Sequence, residues 1–114
     1  MRFQLIFLVS FLSINIFGQN PRIAKFSISQ VSIDAVLISW SMNTGSTCSD
    51  LVVQRSINGI DFLDVYTYPG VCGIADSIQD YNWIDINPIP YAINYYRLKL
   101  DQTDYSKIKS LDLN

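Results

Sequence analysis

The 114-residue sequence has no histidine and no glutamate, and it carries only two cysteines, four prolines and five glycines. Without histidine, Ser-His-Asp and Cys-His nucleophiles are excluded, and so is imidazole ligation of a metal. The missing glutamate, with only four lysines, leaves few residues that favour helix, while 13% of the chain is aromatic. All ten acids are aspartate. The short aspartate side chain competes with the backbone for hydrogen bonds and so marks turns and strand exits.

Long apolar runs are scarce as well. The longest, residues 5–12, is broken by Ser10, preceded by Arg2 and followed by the polar Ser13 and Asn15. A membrane anchor needs about twenty apolar residues, whereas a basic start and a short apolar core are the anatomy of a secretory signal peptide. Residues 1–18 are expected to be that leader, cleaved after Gly18, and residues 19–114 to form one domain with no membrane span. The expected location is secreted, periplasmic or cell-surface. Formal charge is -2, and Lys107 and Lys109 are the nearest approach to a basic cluster. Nucleic acid is therefore not an expected partner, since binding it needs a face that releases counterions.

Export gives the two cysteines a meaning, because an even count in an oxidising compartment signals a bridge. Cys48 and Cys72 are expected to form one disulfide. A redox or metal pair would need C-x-x-C spacing or histidine neighbours, and neither is present. No metal or other cofactor is implied.

What the mature chain does contain is period-two alternation. Residues 94–100 place Tyr96, Leu98 and Leu100 on one face and Tyr95, Arg97 and Lys99 on the other, which predicts a half-buried strand. Val36, Ile38 and Trp40 share a face, and Leu51, Val53 and Ile57 share a parity. Residues 24–29, 60–66, 78–86 and 105–113 complete seven short strands with turn signals between them. Asn58-Gly59 predicts a tight type I′ hairpin, Pro69-Gly70 predicts a strand end, and Asn87-Pro88-Ile89-Pro90 predicts another. The expectation is an all-β, seven-stranded antiparallel immunoglobulin-like sandwich.

Paired carboxylates are the remaining route to acid/base chemistry. Asp61 and Asp64 flank a turn, Asp76 and Asp80 are four apart, and Asp101 and Asp104 bracket a loop, all in settings that suit solvated turn acids. The chain is expected not to be an enzyme. Among the aromatics, Trp40, Tyr96 and one of Tyr81 or Trp83 are expected in the core. Tyr68 and Tyr91, beside prolines in loops, and Tyr95, facing outward, are the candidate platform for a sugar or protein.

Val36-Leu37-Ile38-Ser39-Trp40, the hairpin Val53-Gln54-Arg55-Ser56-Ile57-Asn58-Gly59 with Phe62, the stretch from Tyr81 to Pro88, Asn94 to Leu100, and Asp101 with Tyr105-Ser106 form an ordered series. Together they resemble the fibronectin type III-like modules of secreted Bacteroidetes-type proteins. The resemblance implies that the loops carrying Cys48 and Cys72 emerge at one pole with the loop after residue 100, making that pole the expected binding surface. It also implies a corner tyrosine where this chain has Asn94. Asp76-Ser77-Ile78 resembles the short acceptor pattern for bacterial O-glycosylation at Ser77. The function expected is a non-enzymatic exported module that binds a protein or glycan, or spaces such elements apart. The alternatives are a structural subunit assembling through edge strands such as 24–29 or 105–113, and a small hydrolase inhibitor.

Overall fold

The computed structural model describes residues 22–44, 48–71, 76–102 and 104–114. The expected leader and Cys72 lie outside the described residues. Every described element is a strand: β1 Ile23–Ser32, β2 Ala35–Met42, β3 Ser49–Ser56, β4 Leu63–Val71, β5 Gln79–Asp85, β6 Ile93–Leu100, β7 Asp104–Tyr105 and β8 Lys109–Asp112. They form two antiparallel sheets, one ordered β1-β2-β5 and the other β4-β3-β6, with β7 and β8 both pairing with the free side of β6.

The alternating faces meet between the sheets. Val36, Ile38, Trp40 and Met42 of β2 pack against Leu51 and Val53 of β3 and Tyr96, Leu98 and Leu100 of β6, all essentially inaccessible to water. This is the core of a β-sandwich, and it uses the inward faces that the alternation predicted. Both Tyr81 and Trp83 join it, where one was expected. Trp40 stacks on Tyr81 with centroids 5.9 Å apart, and Trp83 stacks on Tyr66 at 4.7 Å. This aromatic seam closes the side of the sandwich between the edge strands β4 and β5.

Four local expectations are corrected. Strand β3 ends at Ser56, so Ile57 leaves the core face and is 67% exposed. The β3–β4 connection is no type I′ turn: Gly59 has a φ of 77°, but Asn58 keeps a negative φ. Instead the Asn58 side-chain oxygen accepts the N–H groups of Ile60 and Asp61, each at 2.8 Å, and the Ser56 hydroxyl oxygen accepts those of Asn58 and Gly59. Asparagine's capacity to imitate a backbone turn has outcompeted its tolerance of positive φ.

Pro69-Gly70 does not stop β4. Ser49 pairs with Val71 and Leu51 with Tyr68, so two β4 residues oppose the single Asp50, and the Gly70 N–H donates to the Asp50 carboxylate at 3.1 Å. A bulge on an edge strand accommodates both residues. The last strand is also divided, giving eight elements where seven were expected. The Ser106 hydroxyl accepts the Leu98 N–H while the Ser106 N–H reaches the Leu98 carbonyl, which holds the chain beside β6 between β7 and β8.

Candidate functional site

The two ends of the sandwich differ in chemistry. One end carries the start of β1, the start of β3 and the β6–β7 connection. There Arg22 donates to Asp104 at 2.6 Å, to Asp101 at 3.0 Å and to the Ser49 hydroxyl at 3.2 Å. The Asp101 and Asp104 carboxylates therefore clamp an arginine that ties the first strand to the last hairpin. This is the pole expected to bind. Of its two cysteines, Cys48 is described and Cys72 is not; no described cysteine is free.

The opposite end holds the β3–β4 and β5–β6 connections. Three contacts place them together. Ser56 pairs with Tyr95 across the sheet, the Tyr95 ring lies over Gly59, and Arg55 donates to Asp85 at the end of β5, 2.8 Å away. Ile57, Ile60 and Leu63 project from the first connection and the start of β4, with Ile60 78% exposed. Ile86, Ile89 and Tyr91 project from the second and Ile93 from the start of β6, with Tyr91 79% exposed. Seven of the twelve exposed large apolar side chains among the described residues lie on these two connections or the strand residues beside them, although connections are ordinarily polar.

Both connections are held rigid by polar side chains beneath them. Asn94 is fully buried. Its amide donates to the carbonyls of Ile89 and Ala92 at 2.8 and 3.2 Å, and its oxygen accepts the Ile89 N–H at 2.9 Å. A carboxamide thus fastens the corner where the family resemblance implied a tyrosine hydroxyl. The Asp85 carboxylate, also buried, accepts from Arg55, from the Tyr96 hydroxyl at 2.7 Å and from the Asn87 N–H at 3.1 Å. Burial, then the hydrogen bond to Asp85, pushes the Tyr96 hydroxyl pKa well above the tyrosine range.

Charge is distributed unevenly around this pole. Asp34, Asp61 and Asp112 border it and are exposed, while Arg55 is engaged by Asp85. Lys25 and Lys99 stand towards the other end, as their pairing with Ser41 and Val52 shows, while the half-buried Lys109 pairs with Tyr96 on the pole's half of β6. Three exposed aspartates against that one lysine leave the rim of the apolar pole acidic on balance.

The three candidate tyrosines do not form one platform. Tyr68 is a correction, because it lies within β4 rather than in a loop and is half-buried, edge-on to Trp40 at 5.9 Å and to Tyr81 at 5.2 Å. Tyr95 is half-buried over Gly59, and Tyr91 alone projects freely. Tyr68 pairs with Leu51 and Tyr95 with Ser56, five residues along β3, roughly 17 Å at the usual strand rise. Ser77 is exposed.

The remaining carboxylates are held singly. Asp61 accepts from the Asn58 amide, Asp64 from Gln54 and Asp80 from the Ser41 hydroxyl. On the outer face of the second sheet, Gln54 also receives the Arg97 Nε–H at 2.7 Å, and the Arg97 guanidinium lies 4.1 Å from the ring centres of both Phe62 and Tyr105. Among the described residues no group of three cysteines or aspartates is placed to hold a metal, and no helix is long and apolar enough to cross a membrane. A shallow groove of about 270 Å³ crosses the outer face of the first sheet, lined by Lys25, Ser27, Ser39, Ser41, Asp80 and Asn82.

The apolar pole was missed by sequence reasoning although its signal was present: isoleucines at 57, 60, 86 and 89 sit in segments that also carry the turn signals Asn58-Gly59 and Pro88-Ile89-Pro90.

No protein-family model matches the chain, and no curated protein does. Among solved structures it is similar to the sensor domain of the anti-sigma factor RsgI4 of Pseudobacteroides cellulosolvens, with a TM-score of 0.54 and 12% identity, covering 80% of this chain and 93% of that one. At that identity the likeness concerns the fold alone, and it agrees with an all-β chain of two antiparallel sheets.

Proposed function

We propose that the chain is an exported, non-enzymatic fibronectin type III-like module that binds a protein through the apolar pole formed by the β3–β4 and β5–β6 connections. The observation that carries this reading is the exposure of Ile57, Ile60, Ile86 and Tyr91 on two connections fastened from below by Asn58, Asn94 and Asp85. Rigid presentation lowers the ordering cost of binding, and the apolar area supplies the driving force. The acidic rim favours a partner whose apolar patch is bordered by lysine and arginine. A flat sugar platform is less well supported, because Tyr91 stands without a second freely exposed ring beside it. The structural neighbour is a sensor domain, which accords with a binding role. The signal peptide of residues 1–18 and a location outside the cytoplasm belong to the same proposal.

Site-specific photo-crosslinking in the native host tests it. A crosslinker at residue 60 or 91 is expected to give one discrete protein adduct that Ile86→Asp abolishes, while a crosslinker at Lys25 gives none. Equal adducts from both ends, or none from the pole, contradict the reading.

A further inference from the structure

The described arginines use their side chains in two ways. Arg22 and Arg55 place terminal guanidinium nitrogens on carboxylates of this chain, Asp101 and Asp104 for the first and Asp85 for the second. Arg97 does the reverse. Its Nε–H donates to the buried Gln54 at 2.7 Å, and among the described residues its terminal nitrogens have neither a hydrogen-bond acceptor nor an ion-pair partner.

Three contacts fix the position of that guanidinium. Gln54 is itself held, because its amide donates to Asp64 at 2.7 Å. Phe62, just before β4, and Tyr105 of β7 reach Arg97 from opposite edges of the second sheet, each ring centre 4.1 Å from the guanidinium carbon. Cation–aromatic contacts order the side chain without using its N–H groups. The terminal nitrogens stay open to water, since among the described residues only the Trp40 indole nitrogen is both buried and without a partner. The remaining N–H donors of Arg97 are thus ordered and unspent.

With rings arriving from both sides, a ligand enters in the guanidinium plane, and the group that matches a planar fork in its own plane is a carboxylate. One exposed ion pair strengthens binding by no more than about fivefold, so a ligand needs a second contact. Lys99 supplies it. It stands at the next outward position of β6, about 7 Å along the strand, and no described acid pairs with it.

We infer that Arg97 and Lys99 form a second recognition site, which takes two carboxylates at alternate positions of an extended acidic segment in a partner protein. Alternate side chains of an extended peptide stand about 7 Å apart, the same spacing as the two cations. The site lies on the outer face of the second sheet and does not depend on the apolar pole.

Titration of the isotope-labelled protein with the end-blocked peptide Gly-Asp-Ser-Asp-Gly, followed by NMR, tests the inference. The Arg97 Nε–H signal and the Lys99 backbone amide are expected to shift saturably, while the uncharged analogue Gly-Asn-Ser-Asn-Gly shifts neither. Lys99→Gln is expected to keep the parent circular dichroism spectrum and to weaken binding about threefold. Arg97→Lys, which keeps the charge and loses the planar fork, is expected to weaken it about fivefold. Equal shifts from both peptides overturn the inference, as does Lys99→Gln binding as tightly as the parent. An oligo-uronate that binds more tightly than the peptide at equal carboxylate concentration also overturns it, because the ligand is then a glycan. The double variant Ile60→Ser, Tyr91→Ser, altered at the pole without change of charge, is expected to bind the peptide like the parent. Loss of binding there places the peptide at the pole and overturns the Arg97 assignment.

Discussion

The Tyr96 hydroxyl donates to the Asp85 carboxylate at 2.7 Å, joining the middle of β6 in one sheet to the end of β5 in the other. Arg55 reaches the same carboxylate oxygen from β3. One buried acid therefore locks both sheets together directly beneath the apolar pole. Tyr96→Phe removes one donor and leaves Asp85 paired with Arg55, so the expected loss is about 1–2 kcal/mol in chemical denaturation at pH 7. Asp85→Ala strands both partners and is expected to cost about 3 kcal/mol or more.

The same contact predicts a pH dependence. Burial and Asp85 raise the Tyr96 pKa in the folded state. Its contribution is therefore complete below the unfolded tyrosine value of about 10 and is lost as pH rises above it, because the unfolded chain releases a proton that the folded chain retains. Between about pH 10 and 12 the parent's unfolding free energy should fall more steeply than that of Tyr96→Phe, by about 1.4 kcal/mol per pH unit. Parallel slopes for the two proteins contradict the assignment.

Asn94 makes three hydrogen bonds to the β5–β6 connection while fully buried. Asn94→Ala leaves the Ile89 N–H and two carbonyls without this partner, and the denaturation midpoint should report a loss of about 2–3 kcal/mol. Hydrogen exchange should rise most at Ile89, because its N–H loses its acceptor.

The two described glycines with positive φ separate backbone strain from steric contact. A Cβ at Gly70, φ 66°, meets nothing within 4 Å, whereas one at Gly59, φ 77°, lies 3.3 Å from the Tyr95 ring. Gly70→Ala should cost about 1 kcal/mol from the left-handed conformation alone. Gly59→Ala should cost more, about 2 kcal/mol, and shift the Tyr95 ring resonances. Equal costs contradict the close approach of Tyr95.

The sandwich was legible in the sequence because a half-buried strand must alternate, and Val36, Ile38, Trp40, Tyr96, Leu98 and Leu100 all kept the faces that their parity assigned. Parity failed where the chain stopped being a strand. Ile57 shares the parity of Val53, but Ser56 and Asn58 capture the backbone N–H groups of the turn and rotate it out of the sheet. Pro69 signals a strand end because a central strand cannot hold it, and its place in a bulge of an edge strand is a tertiary fact. The pole is not legible in the sequence because it is assembled from two connections nearly thirty positions apart, which the β3–β6 pairing and the Arg55–Asp85 contact bring together.

The disulfide remains a proposal that peptide mapping of the exported protein settles. Under non-reducing conditions the expected products are a Cys48–Cys72 linked pair and a mature N-terminus at Gln19. Replacing both cysteines with serine should lower stability by about 3 kcal/mol, the chain-entropy figure for a loop of about 25 residues. Two free thiols contradict the pairing.

The claim that the apolar pole is the recognition surface is tested most directly by selecting a random peptide library against the immobilised protein and measuring the affinity of the enriched peptides. The account predicts sequences that combine aliphatic or aromatic residues with lysine or arginine, bind the Lys99→Gln variant with unchanged affinity, and lose about tenfold or more against Ile60→Asp, Tyr91→Asp. Enriched peptides that are acidic, or that bind the pole variant as tightly as the parent, contradict it.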